Sequence, residues 1–328
     1  MTFIRRRALA FIACALLSSV APLASAQQAS FPTRPVKIVV GYAPGGAADV
    51  AARMLAEWMG AHLGQPFVVE NRPGASGTLA ANQVSKSPAD GYTLFYGPGF
   101  GMTMGSGPSR IEYKPDQLFQ PVNLMVELPM VLVVNTSLPV SNVKELVTYV
   151  KSKPEGALNY ASYGKGTTSH LTSEAFKSQS NLKTEHILYK GSAPAILALR
   201  AGEVQMMFDT VASAAPHAKA GAIRALAVTS QNRMELLPDV PTMLEVGLPE
   251  VSMSSWMGLF APKGTPAEVV QILSRETSAY LAQPATRERL AGMGFVAQDR
   301  GPEAFRQLIV LETQRIDQLV ERAKINLD

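Results

Sequence analysis

The residues best placed to do chemistry are Gly41-Tyr42-Ala43-Pro44-Gly45-Gly46-Ala47-Ala48-Asp49, between the apolar run Val36 to Val40 and an amphipathic stretch from Val50. Strand, glycine-rich turn and helix start in that order leave backbone N–H groups without intrahelical acceptors, and the helix dipole adds positive potential at the same spot. Such a turn suits an anion. The same residues also fit a plain tight connection, with glycine permitting positive φ and Asp49 capping the helix. A second turn, Tyr163-Gly164-Lys165-Gly166-Thr167-Thr168-Ser169-His170, follows another strand-like run and opens a helix bearing Leu171 and Phe176. Its hydroxyls and first-turn amides suit a second carboxylate or another acceptor. One such turn in each half of the chain favours ligand binding over geometry alone.

A complete catalytic set is missing. The P-loop pattern fails at Gly164-Lys165-Gly166-Thr167, because Gly166 separates lysine from hydroxyl and Asn159 stands where the first glycine belongs. Gly97-Pro98-Gly99-Phe100-Gly101 fails as a dinucleotide fingerprint, since its third glycine comes too early. The histidines His62, His170, His186 and His217 lack metal-ligand spacing, and no Gly-x-Ser-x-Gly elbow occurs. His170, near a helix start, reads as a structural hydrogen-bonding group. No enzyme, cofactor or metal is expected. The rival reading is an exported hydrolase whose nucleophile and base come together from distant positions.

The elements that must position these turns are short apolar runs alternating with helical stretches. The runs are Val36 to Val40, Phe67 to Val69, Tyr92 to Tyr96, Met130 to Val134, Leu158 to Ala161, His186 to Tyr189, Val204 to Phe208 and Arg224 to Thr229. Such alternation predicts an α/β fold with largely parallel, buried strands. Val50, Met54, Leu55 and Trp58 mark one helical face ending near Gly64, and Ala195, Ile196 and Leu199 mark another ending at Gly202. Thr265-Pro266-Ala267-Glu268 combines a capping box with proline at the first helical position, predicting a helix from Pro266 to about Ala282. Met130 to Val134 and Val251 to Met257 read as two crossings between lobes. The helices from Pro266, Pro284 and Pro302 then return to the first lobe, and a ligand cleft lies between the two.

Arg5-Arg6-Arg7, the apolar run Ala8 to Leu17 and Ala24-Ser25-Ala26 have the order of a cleaved secretory signal, residues 1–26. The predicted division is then 27–130 with 252–328 as lobe 1, and 131–251 as lobe 2. Cys14 is the only cysteine, so the exported chain holds neither disulfide nor thiolate metal site. Removing the three signal arginines leaves 27 basic against 26 acidic residues, which makes nucleic acid a poor partner.

The ordered segments Pro35-Val36-Lys37-Ile38-Val39-Val40, Pro44 to Arg53, Val69-Glu70-Asn71-Arg72-Pro73-Gly74-Ala75-Ser76-Gly77 and Asp90-Gly91-Tyr92-Thr93-Leu94 resemble the extracytoplasmic solute receptors of tripartite tricarboxylate transporters, the Bug family. The similarity continues through Tyr189 to Ala195, Gly202 to Asp209, Arg224 to Ser230, Pro238 to Thr242 and Trp256 to Pro266. It implies a two-lobed periplasmic binding protein of type II topology, closing on a small organic acid, aliphatic or aromatic, mono- or dicarboxylic. The partners implied are integral membrane subunits of the transporter, with the receptor a periplasmic monomer. A role as ligand sensor for a two-component kinase is the alternative. By the same resemblance, the loop Tyr42, Pro44, Gly45, Gly46, Ala47, Ala48 and Asp49 meets a ligand carboxylate through main-chain N–H groups and waters, with Asp49 bracing it. Ser162, Gly166, Thr167, Thr168 and Tyr189 serve the opposing lobe, and Asp209 faces the cleft. The segment Pro98 to Pro108 departs from the family pattern, and Gly99 and Phe100, with Met102 and Met104, could form an apolar wall for a flat ring.

Overall fold

The computed structural model describes residues 31–74, 77–98 and 118–325. The expected signal segment, Ala75, Ser76, Gly99, Phe100, Met102 and Met104 lie outside these residues. The chain begins with β1 (Val36–Val40), α1 (Ala47–Leu63), β2 (Phe67–Asn71), α2 (Thr78–Ser85) and β3 (Thr93–Pro98). β1 pairs in parallel with both β2 and β3, which brings the carboxyl ends of all three strands to one edge.

A long strand, β4 (Phe119–Val134), then organises the molecule. It is followed by α3 (Val143–Lys151), β5 (Asn159–Ser162), α4 (Thr168–Gln179), β6 (Glu185–Leu188), α5 (Ser192–Ala201), β7 (Met206–Thr210), α6 (Val211–Lys219) and β8 (Arg224–Val228). The remainder is β9 (Ser254–Pro262), α7 (Ala267–Ala282), α8 (Pro284–Gly292), β10 (Val296–Arg300) and α9 (Pro302–Arg322). The principal strand order is β2-β1-β3-β9-β4-β7-β5-β6, with β8 and β10 also on β4.

From Phe119 to Pro129, β4 pairs antiparallel with β9, and from Met130 to Val134 it pairs antiparallel with β7. One strand thus serves two sheet halves, changing partners between Pro129 and Met130. The expectation of largely parallel strands needs correction here: β5 is parallel to β6 and β7, but every pairing of β4 is antiparallel. Met130 to Val134 is only the end of the longer strand. Apolar side chains on both faces mask β4's period in sequence, since it is buried almost throughout.

Two further corrections are local. The buried face of α1 is Ala48, Ala51, Ala52, Leu55, Ala56 and Met59, while Met54 and Trp58 lie only partly buried at its margin. Small alanines let the helix lie close to the sheet, and the larger residues flank it. At α7, Pro266 is the N-cap and the Thr265 hydroxyl donates to Pro262 O at 2.8 Å, so the predicted capping box does not form.

Separate apolar clusters fill the two halves. One joins β1, α1, β3, β4, α7 and α8, and others join β4, β5, β7 and their helices. The halves touch where Leu171 and Ala175 of α4 pack on Ile316 and Leu319 of α9. They also meet at Gly294, where an added Cβ would lie 2.8 Å from Ala212 N. Among the described residues, no helix is long and apolar enough to cross a membrane.

Candidate functional site

The turn after β1 is held by its own helix. Gly45 has φ of 82°, a value L side chains rarely adopt, while Gly46 is the extended N-cap of α1. The positive φ anticipated for this turn therefore belongs to Gly45. Val50 N–H reaches Gly46 O at 3.0 Å as the first helical bond, so the amides of Ala47, Ala48 and Asp49 precede it. The Asp49 carboxylate, only 2% exposed, accepts from Gly45 N at 2.9 Å, Arg53 Nε at 2.9 Å and Asn71 Nδ2 at 2.8 Å. Asn71 Nδ2 also donates to Tyr42 O at 3.0 Å, tying the turn to the end of β2. Burial pushes the Asp49 carboxyl up, but the bonds from Arg53, Gly45 and Asn71 outweigh it and hold the group below its usual range.

Beside this turn the backbone closes in tightly. A Cβ on Gly41 would lie 2.5 Å from Gly77 Cα, and one on Gly77 would lie 3.6 Å from Pro98 Cδ. The ends of β1 and β3 and the start of α2 thereby form one floor. Pro44, Gly45 and Gly46 are exposed above it, and Ala48 is buried beneath.

In the second half, β5, β6 and β7 run parallel and end at a common edge, from which α4, α5 and α6 start. Thr167 is the N-cap of α4: its hydroxyl donates to Gly164 O at 2.7 Å and accepts from His170 N–H at 3.4 Å. Thr168 is half-buried and opens the helix. Gly166 N–H donates to His170 Nδ1 at 3.0 Å. Ser162 is fully buried, and its hydroxyl is 2.7 Å from His186 Nε2. Tyr189 N–H donates to Ser162 O at 2.9 Å, and its ring lies against the core beside β7.

Asp209, near the end of β7, is wholly buried and accepts from Ser192 Oγ at 2.5 Å and Thr210 N at 2.8 Å. Ser192 Oγ lies 2.7 Å from Ser213 Oγ. Burial pushes the Asp209 carboxyl up to about 6, with the Ser192, Thr210 and Ser213 donors resisting. Tyr163 links the halves electrostatically. Its phenol is pushed well up by burial, then by the Asp209 carboxylate, then by the phenol of Tyr42 from the first turn. Tyr42 is itself pushed up to about 12 by burial. Tyr163 thus lies within electrostatic reach of Asp209 in its own half and of Tyr42 in the other.

Residues 51–326 match the model of the tripartite tricarboxylate transporter family receptor, TctC. The chain belongs to this receptor family. Over 324 residues it is 38% identical to a UPF0065 protein from the tcbD-tcbE intergenic region of Pseudomonas sp., covering 98% of this chain and 95% of that one. Over 289 residues it is 35% identical to protein BugT of Bordetella pertussis, covering 87% and 88%. Among solved structures it resembles an R. palustris protein with adipate at TM-score 0.79 and 35% identity, covering 90% of this chain and 99% of that one. It also resembles MatC of Rhodopseudomonas palustris with bound malate at TM-score 0.74 and 34% identity, covering 88% and 100%. The two-lobed α/β periplasmic binding protein fold with its cleft is shared with these structures.

In this receptor both strand-turn-helix segments stand where the sequence placed them, whereas Asp209, expected to face the cleft, and Ser162 and Gly166, expected at the ligand, are buried and bonded within their own half. Arg53 stands four residues after Asp49, a helical ion-pair spacing that was readable. Asn71, Gly77 and Ser192 lie in the segments that carry the family resemblance, but their roles, like that of Ser213, were not readable, because they arise only when separate strands end side by side. Among the described residues, no cluster of histidine, cysteine or carboxylate side chains could hold a metal.

Proposed function

We propose that this receptor closes its two lobes on a small organic carboxylate and presents it, unchanged, to the integral membrane subunits of a tripartite tricarboxylate transporter. The observation that carries this reading is the pair of braced helix N-termini at the ends of parallel strands, one in each half of the fold. Amide dipoles fixed this way stabilise negative charge without a formal cation, and water retained beside them accommodates acids of different shape. Because Asp49 already occupies the Gly45 N–H, the donors proposed for the first carboxylate are Gly46, Ala47 and Ala48. Thr167, Thr168 and Tyr189 line the opposing side; Ser162, Gly166 and Asp209 support them from beneath. Tyr42 and Pro44 shape the mouth, and Gly99 and Phe100 stay in the proposal as its apolar wall.

The proposed lobes are 27–130 with 252–328, and 131–251, close to the change of partners in β4. The proposed setting is the periplasm, reached by cleavage of residues 1–26, with the receptor monomeric. Adipate and malate, present in the related structures, are the first acids to test. Titration calorimetry with each, and mass spectrometry of any copurifying molecule, should show one acid bound per chain and recovered unaltered. Chemical conversion of the acid, or of an ester or amide offered alongside, would replace the receptor reading with an enzymatic one.

A further inference from the structure

The two turns share a device that the sequence conceals. In α1 the side chain of the third helical residue, Asp49, reaches back to the N–H of Gly45, just before the N-cap. In α4 the third helical residue is His170, and its Nδ1 reaches back to the N–H of Gly166, again just before the N-cap. The Thr167 hydroxyl completes the exchange by accepting the His170 N–H. This is the logic of a capping box with imidazole in place of the usual carboxylate or amide.

We infer that His170 is the positioning residue of the second turn, accepting the Gly166 N–H as a neutral imidazole and so aiming the amides that follow at the ligand. The inference rests on the reading of that turn as a ligand contact. His170 is 3% exposed and stacks on His186, with ring centroids 4.4 Å apart, and His186 in turn stacks on Tyr160 at 4.9 Å. The facing titratable groups are His186 from β6, Tyr160 from β5, Glu174 and Lys177 from α4, and Lys165 from the turn. Glu174 is already engaged, accepting from the Tyr160 hydroxyl and from Lys177 Nζ at 3.2 Å. Burial first, then His186, push the His170 imidazole down to about 4; Glu174 opposes them, and Lys165 and Lys177 add to the fall. A protonated ring would set Nδ1–H against Gly166 N–H, donor against donor. The turn therefore presents amides to an anion without any imidazolium, and His170 adds no charge to the site above pH 6.

The test compares wild type with His170→Asn, whose Oδ1 can stand in for Nδ1, and with His170→Ala. Long-range 1H–15N spectra of the unliganded wild type at pH 7 should show His170 neutral with its proton on Nε2. Gly166 amide exchange should be slow in wild type and in H170N, and about tenfold faster in H170A. Affinity for adipate or malate should fall about three- to tenfold in H170A, the loss of one hydrogen bond, and recover in H170N. A charged ring or an Nδ1–H tautomer at pH 7 overturns the proposal, as does unchanged Gly166 exchange in H170A. If H170A does not fold, the wild-type tautomer and the binding of H170N decide. Failure of wild type to bind either acid, with tautomer and exchange as expected, counts against the carboxylate reading and leaves the positioning role standing.

Discussion

Replacing Asp49 by alanine removes one side chain that accepts from three donors on three segments, so its cost can be worked from the geometry. Gly45 is exposed and Arg53 is 51% exposed in its side chain, so both donors return to water, at about 0.5 kcal/mol each. The Asn71 amide keeps Tyr42 O but loses a charge-assisted bond in a partly buried place, about 1.5 kcal/mol. The sum is about 2–3 kcal/mol, which for a chain of this size lowers Tm by about 3–5 °C. Urea unfolding followed by circular dichroism measures it at pH 7. Because the folded carboxyl lies below its unfolded value, the stabilisation is full above the unfolded pKa and is lost as pH falls through the folded one. The gap between wild type and D49A should therefore narrow below about pH 4. A variant within about 0.5 kcal/mol of wild type at pH 7, or a gap that widens in acid, would refute the bracing argument.

Other outcomes follow from neighbouring features. Asp209→Asn should raise the urea midpoint at pH 7.5 and converge with wild type near pH 4: a folded carboxyl pushed up to about 6 makes stability fall as pH rises between the unfolded and folded values, by an order of 2–3 kcal/mol, about what the amide removes. Gly45→Val should lose about 1–2 kcal/mol to backbone strain at φ of 82°, whereas Gly46→Val, on extended backbone, should leave Tm nearly unchanged. Gly46→Val should instead weaken adipate or malate binding by about tenfold, ~1.4 kcal/mol, measured by calorimetry. Gly294→Ala places a Cβ 2.8 Å from Ala212 N at positive φ, so it should cost about 2 kcal/mol and alter the small-angle scattering of the unliganded receptor, since this contact joins the two halves.

How much of this was legible in the sequence differs between turns and sheet. Local rules located most strands to within a few residues, the αL glycines Gly64 and Gly202 that close α1 and α5, and both strand-to-helix turns. Those features depend on a residue and its near neighbours, which is all that spacing and propensity can report. The full length of β4, most of β9 and the short β10 were not legible. β4 is buried on both faces and carries no alternating pattern, while β10 is a half-exposed strand completed only by its partner.

The order of strand, turn and helix start, written in the residues from Val36 to Val50 and from Leu158 to His170, determined by itself that backbone amides would gather at two places. What only the tertiary structure decided is how those amides are held. Gly41 against Gly77, Asn71 under Tyr42, His170 on His186 and Asp209 against Ser192 are contacts between separate segments of the chain. They exist because parallel strands bring their carboxyl ends to a common edge, and no local preference encodes which residues will meet there.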